Sequence, residues 1–171
     1  NGFTAMMFLL PLLVIVPVGI IGFTGYEWIA GLLSEKNEIV KDYLWVTYII
    51  AFSMAYFEVF YAWAKVHMRS VLGNFLKEVF HRVAITVMLF MIFFEWITVS
   101  GFIYGIAVTY ALRMLIMLVS AIRVRKPVIL FKPPQNAREV ISYSAFVILA
   151  GAVSVVFLDI DKFMIGQFKS I

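Results

Sequence analysis

Long runs of apolar residues alternate with short charged links along the whole chain. A helix needs about 20 apolar residues to cross the roughly 30 Å hydrocarbon core of a bilayer. Runs of that length predict membrane spans at about 5–23, 44–64, 83–99, 101–122 and 137–165. The predicted fold class is therefore all-α, a polytopic integral membrane helical bundle with five transmembrane helices.

Local signals refine these spans. Pro11 and Pro17 lie inside the first, so we expect a kinked helix whose freed carbonyls are satisfied by neighbours or water. Few residues around Ser100 and Gly101 join the third span to the fourth, which predicts an antiparallel hairpin. Asn136, with Glu139 three residues later, predicts the capped start of the fifth helix.

Residues 70–82 carry an amphipathic pattern between the second and third spans. Polar residues at 70, 73, 74, 77, 78 and 81 are separated by apolar ones at helical spacing, with basic residues on both sides. One interpretation is a helix lying in the cytoplasmic interface. The alternative is an N-terminal extension of the third span.

Composition narrows the classes of protein. The 171 residues are 64% hydrophobic and 14% charged, whereas a soluble domain is roughly 45–50% apolar and about 25% charged. This excludes a soluble globular enzyme, a disordered chain and a nucleic-acid module, despite the net charge of +4. With no cysteine in the chain, disulfides, cysteine-ligated metals and a thiol nucleophile are excluded too.

The basic residues predict the topology. Lys and Arg concentrate in the links at 65–82 and 123–138, whereas 24–43 is net acidic and the hairpin tip carries neither. By the positive-inside rule the two basic links are cytoplasmic. We therefore expect a multi-pass protein of the cytoplasmic (inner) membrane, whose first span runs from inside to outside.

Glu58 and Arg113 are charges inside predicted spans, where an ionisable group costs at least about 2.5–3.5 kcal/mol. Glu58 is a candidate cavity-lining carboxylate that binds a cation or proton; the alternative is a packing seam with a neutral or paired carboxyl. Arg113, near the midpoint of the fourth span, is a candidate contact for an anionic head group, because its guanidinium suits phosphate or carboxylate. Its alternative is a structural ion pair, with Glu58 as the candidate partner.

Three charged residues, Asp159, Asp161 and Lys162, cluster towards the outer end of the fifth helix. Asp159 and Lys162 can neutralise each other at their three-residue spacing, which favours an interfacial helix end over a substrate site. Glu95, beside Trp96, is interpreted as interfacial as well.

Signals for catalysis are weak. His67 and His81 lie in a basic link without a metal-binding motif, and no phosphate-binding loop or nucleophile motif is present. We expect neither an enzyme nor a bound metal or cofactor. Because the chain begins at Asn1 and ends just after an apolar run, we also expect it to be part of a longer protein.

Three segments resemble Wzx-type polysaccharide flippases, the polysaccharide-transporter branch of the MATE-like flippase superfamily. The sequence Phe-Leu-Asp-Ile-Asp-Lys-Phe-Met-Ile-Gly-Gln-Phe at 157–168 resembles their seventh transmembrane helix. Residues 69–82 resemble the connection after their fourth helix, and the basic, proline-containing link before Asn136 resembles the one between their two bundles. The resemblance implies that this chain corresponds to transmembrane helices three to seven of these flippases.

The resemblance implies a carrier that moves lipid-linked oligosaccharide across the membrane by alternating access, for O-antigen or capsule-like polysaccharide synthesis. Residues 1–126 then belong to the first bundle, 127–136 to a cytoplasmic linker and 137–171 to the second bundle. Arg113 is the implied contact for the pyrophosphate, and Glu58 is implied in coupling to a proton or sodium ion, or in balancing Arg113. Asp159, Asp161 and Lys162 match the family segment by position.

Three other classes remain open. A MATE-type, cation-coupled multidrug exporter has the same fold and needs a net acidic cavity. A membrane-embedded transferase or polymerase acting on lipid-linked sugars needs a catalytic cluster in a long outer loop. A non-catalytic scaffold leaves Glu58 and Arg113 explained only as a pair.

Overall fold

The computed structural model describes residues 2–27, 39–126 and 136–168, of which 39–41, 155, 158, 159 and 161–168 are described by their backbone alone. Regular structure in these ranges is helical. The helices are α1 (Phe3–Thr24), α2 (Ile39–Val66), α3 (Val71–Asn74), α4 (His81–Phe93), α5 (Val99–Val124) and α6 (Ala137–Phe168), and a π-helical segment, Phe75–Phe80, joins α3 to α4.

Four of these helices are long and apolar enough to cross a membrane. The qualifying stretches are Phe3–Thr24, Asp42–Val66, Val99–Val124 and Ala137–Ser154. They confirm the all-α class and make the chain a multi-pass membrane protein. Each begins within two residues of the start predicted from the apolar runs.

The third predicted span, 83–99, is wrong at its outer end. Helix α4 stops at Phe93 and has only 13 residues, so it is not among the four qualifying helices. The helix closes because Glu95 adopts a left-handed φ of 59°. Its N–H donates to the carbonyl of Ile92 at 2.8 Å, and the N–H of Trp96 donates to that of Met91 at 2.8 Å. These two bonds form a Schellman motif.

The hairpin turn is also earlier than predicted. Thr98 is the N-cap of α5, and its hydroxyl accepts a hydrogen bond from the N–H of Gly101 at 3.2 Å. Ser100 and Gly101, predicted as the turn, therefore lie in the first turn of α5. Residues 94–98 make the connection instead.

The amphipathic stretch is helical and leads into α4 without a non-helical residue between them. Helix α3, the π segment and α4 form one run, Val71 to Phe93. This is the arrangement expected of an N-terminal extension of the third span. The run follows α2 closely because Met68, with a left-handed φ of 57°, closes that helix in a second Schellman motif.

The chain divides into two compact units, Thr4–Ile129 and Leu130–Ile171 with Asn1–Phe3. In the larger unit α2 packs along α5 in parallel. The Tyr43 hydroxyl donates to Ser100 Oγ at 2.7 Å near the start of both helices, and Trp63 Nε1 donates to the Arg125 carbonyl at 3.1 Å near their ends. Helix α4 runs antiparallel to α5.

The core of this unit lies where α2, the π segment and α5 meet. It contains aromatic residues of α2 against small and flexible residues of the other elements: Tyr56, Phe57, Phe60, Tyr61, Ala64, Leu76, Met117 and Ala121. Gly73 of α3 is buried against the ring of Tyr61, where a Cβ atom would overlap the ring. The close approach places the start of the run Val71 to Phe93 directly on α2.

Helix α1 continues through both of its prolines. Two of its carbonyls accept hydrogen bonds from α2: Phe8 from the Tyr56 hydroxyl at 3.2 Å, and Ile15 from the Tyr48 hydroxyl at 3.0 Å. Neither is the carbonyl that Pro11 or Pro17 deprives of a helical N–H, so these two hydrogen bonds join α1 to α2 and do not satisfy the freed carbonyls.

Helix α6 forms the described part of the smaller unit. It starts directly after Asn136, as predicted, and the Asn136 carbonyl accepts from the N–H of Val140 at 3.1 Å. The predicted linker at 127–136 lies outside the described residues except for Asn136. The centre of the predicted outer link, 28–38, lies outside them too.

Candidate functional site

Arg113 lies near the middle of α5 and is almost completely buried, with 4% of its surface exposed. Thr109, Met117 and Ala121 are buried at four-residue spacing on the same side of the helix. The guanidinium carbon lies 4.2 Å from the ring centroid of Phe57 in α2 and 4.8 Å from that of Tyr110. Two aromatic faces thus cover the cation.

This guanidinium is incompletely satisfied. Its Nε is buried without a hydrogen-bond partner, and within the described ranges no carboxylate lies within 4.0 Å of Arg113. Burying an unpaired charge is unfavourable, and cation–π contacts offset only about 2 kcal/mol. An anion or a hydrogen-bond acceptor at this guanidinium would therefore stabilise Arg113 further.

Glu58 is paired with Lys77 and not with Arg113. The Lys77 Nζ lies 2.6 Å from Glu58 Oε1, and the two side chains are 42% and 50% exposed. The ion pair links α2 to the π segment. The structure thus shows Glu58 as a paired carboxylate. The side chain is half exposed, however, and is not buried in a packing seam between helices.

Tyr61 connects this ion pair to a second cation. Its ring centroid lies 4.1 Å from the Lys65 Nζ and 6.0 Å from the Lys77 Nζ, and its hydroxyl donates to Asn74 Oδ1. The π segment that carries Lys77 follows Asn74 directly. Single-turn π-helical insertions are rare and recur at functional sites.

His81 is the residue that sequence reasoning missed. The sequence places it in a basic link without a binding motif, but its ring centroid lies 6.1 Å from that of Tyr110, the residue that also covers Arg113. Its Nδ1 is buried without a hydrogen-bond partner. The signal was present in the polar stripe, because His81 follows Asn74 and Lys77 on one helical face.

Together these charged side chains of α2, the π segment and α5 form a cluster that is cationic on balance. Arg113, Lys65 and Lys77 carry positive charge against the single carboxylate of Glu58 among these side chains. Lysine and arginine so placed bind phosphate or carboxylate groups, and arginine binds them through two parallel hydrogen bonds. Two rings shield Arg113, and its guanidinium is almost closed to solvent in this arrangement.

The remaining candidates lie elsewhere. Asp159, Asp161 and Lys162 lie on α6, and their side chains are outside the described part of the structure. Glu95 is exposed between α4 and α5.

Neither the cavity beside residues 68–75 nor the one between α1 and α2 is lined by Glu58 or Arg113. No family model, curated protein or solved structure matches the chain. The class that the structure defines is that of a multi-pass α-helical membrane protein, with a buried cationic residue in its larger unit.

Proposed function

We propose that this chain belongs to a transporter of the cytoplasmic membrane that moves lipid-linked oligosaccharide to the outer side by alternating access. The observation that carries the proposal is Arg113, a buried and unpaired guanidinium halfway along a membrane helix. Such a residue inside a membrane marks a substrate or ion pathway by default. The sequence resemblance supplies the substrate class, and with it the expectation that the protein is not an enzyme.

The helix directions support the five-span topology that this function needs. Because α2 and α5 are parallel, the chain between them has to return across the same thickness. The run Val71 to Phe93 is available for this purpose, with a helical length of about 35 Å at about 1.5 Å per residue. We propose that the whole run is the third of the five membrane spans. Helix α4 on its own has 13 residues and is too short to cross the bilayer.

In this proposal Arg113 binds the pyrophosphate of the lipid carrier. Phe57 and Tyr110 lie against the guanidinium carbon, and the proposed contact of the guanidinium with the pyrophosphate is bidentate. Movement of α2 against α5 during the access cycle exposes the side chain.

The charge balance favours an anionic substrate over the organic cation of a multidrug exporter. An exporter of cations needs a free carboxylate in its cavity, but Glu58 is already neutralised by Lys77. Arg113 has no carboxylate in contact with it among the described residues, and Glu58 attracts it only at longer range. The net charge of the cluster is thus positive.

The test is polysaccharide export in cells that depend on the complete protein containing this sequence. We expect Arg113→Ala to reduce export at least tenfold and Arg113→Lys to restore it in part, because lysine keeps the charge but loses the bidentate geometry. Arg82→Ala is the matched control, since Arg82 is exposed and paired only with Glu78 at 3.2 Å.

Protein level and membrane insertion are measured in parallel for each variant. Full export by Arg113→Ala would remove Arg113 from the site and with it the main support for the proposal. If Arg113→Ala does not accumulate, the comparison is made with Arg113→Lys, and normal export by that variant contradicts bidentate recognition.

A further inference from the structure

A cavity of about 1030 Å³ lies beside the cluster, between residues 68–75 and the last third of α5. Its walls are apolar and include Leu72, Phe75, Leu115 and Val119. Two arginines, Arg69 and Arg123, also line it, and both are exposed. We call this the basic-end groove.

The groove lies at the end of the bundle where basic residues concentrate. It adjoins the ends of α2 and α5, which carry Lys65, Arg123 and Arg125. Cytoplasmic span ends carry such residues, so in the proposed topology, on which this inference rests, the groove faces the cytoplasmic leaflet. Its volume is at the upper end of the range of about 300–1,000 Å³ for sites that hold a small amphiphilic molecule.

We propose that the basic-end groove binds an anionic glycerophospholipid of the cytoplasmic leaflet. The phosphate lies between Arg69 and Arg123, and one acyl chain runs along Leu72, Phe75 and Leu115. The two guanidinium groups select a net negative head group, because a zwitterionic lipid brings its own ammonium group to compensate the phosphate. The apolar walls require a lipid chain and not a free anion.

Such a lipid also contacts the segment that forms the candidate site. Phe75 is the first residue of the π segment, which carries Lys77 two positions later. An acyl chain on Phe75 and Leu115 therefore joins the π segment to α5. The bound lipid stabilises the arrangement in which Lys77 meets Glu58, so its loss loosens the same helices that shield Arg113.

The experiment measures lipid binding to the purified full protein in detergent, without any transport assay. Phosphatidylglycerol and phosphatidylcholine with identical acyl chains are added, and binding is followed by native mass spectrometry and by the Tm. We expect phosphatidylglycerol, but not phosphatidylcholine, to raise the Tm of the protein. Arg69→Ala and Arg123→Ala should each weaken its binding about fivefold, from the loss of one basic contact.

Arg125→Ala is the matched control, because it removes one positive charge at the same helix end outside the groove. Its binding of phosphatidylglycerol should equal that of the unchanged protein. Equal loss in all three variants means general surface attraction and overturns the proposal. So does an equal effect of the two lipids, or an equal Tm shift with inorganic phosphate in place of lipid. Because no step depends on export, these outcomes are separate from the fate of the transporter proposal.

Discussion

At the scale of the residue, two charges in the middle of the larger unit are stabilised in different ways. Glu58 has an oppositely charged partner, Lys77, and retains about half of its exposure. Arg113 is buried and relies on the faces of Phe57 and Tyr110. The Glu58 carboxylate is already neutralised by the ammonium group of Lys77. Arg113 has no carboxylate in contact with it among the described residues, so its guanidinium still attracts an anion.

The pairing of Glu58 with Lys77 makes the predicted role in ion coupling testable. If Glu58 takes up a proton or sodium ion, it has to leave Lys77 first. We expect Glu58→Gln to abolish the dependence of export on the ion gradient, and Lys77→Gln to preserve that dependence because the carboxylate remains. The measurement is export at graded proton and sodium gradients.

Both variants lose the same ion pair, so they serve as controls for each other in stability. A half-exposed pair contributes about 0.2–1 kcal/mol, and both substitutions should lower the unfolding free energy by a similar amount. Equal gradient dependence in Glu58→Gln and the unchanged protein would leave Glu58 with a structural role only.

At the scale of the element, a residue in the left-handed conformation ends each of two helices, α2 and α4. Met68 and Glu95 both close a helix with a left-handed φ, of 57° and 59°. Glycine is the usual residue at this position of a Schellman motif, because a side chain with a Cβ costs about 1–2 kcal/mol there. The chain therefore carries strain at both ends of the run that returns between α2 and α5.

Glu95→Gly should relieve one of these strained positions. We expect it to raise the unfolding free energy by about 1 kcal/mol, since glycine adopts the left-handed conformation without steric cost. The measurement is reversible unfolding in mixed micelles. Glu95→Ala is the matched control, because it removes the charge but keeps the Cβ. A Glu95→Gly variant no more stable than Glu95→Ala would show that backbone strain at this position is negligible.

At the scale of the whole molecule, the parallel packing of α2 and α5 supports the five crossings that we propose. Two parallel spans need an intervening segment that crosses back. The only chain between Val66 and Val99 is the run containing the π segment and α4. Within this run Lys77 contacts Glu58 and lies near the ring of Tyr61, and in the proposed topology this pairing lowers the cost of placing Lys77 at membrane depth.

Cysteine labelling tests this topology directly. The sequence contains no cysteine, so each introduced thiol is the only reactive one within it. With a membrane-impermeant maleimide applied to intact cells, we expect Trp96→Cys to be labelled. Arg69→Cys and Lys126→Cys should react only after permeabilisation. Labelling of Arg69→Cys and Trp96→Cys from the same side would mean that the run does not cross.

The sequence determined the helical class, four qualifying spans and the basic end of the bundle. These follow from local properties, because the length of an apolar run and the hydrocarbon thickness suffice to define a membrane helix. The start of α6 after Asn136 was also predicted from a local signal, the pair of capping residues Asn136 and Glu139. The early end of α4 was not, because it depends on a left-handed Glu95 that no residue preference announces.

Only the tertiary structure decided which charges meet. Glu58 and Lys77 are 19 positions apart, and their contact depends on how α2 and the following run are rotated against each other. The π segment changes that rotation, since its hydrogen bonds span one residue more than those of an α-helix. Lys77 lies in this segment and contacts Glu58, and His81 directly follows it and lies near the ring that covers Arg113. These side-chain neighbours are set by packing between helices and not by sequence within one.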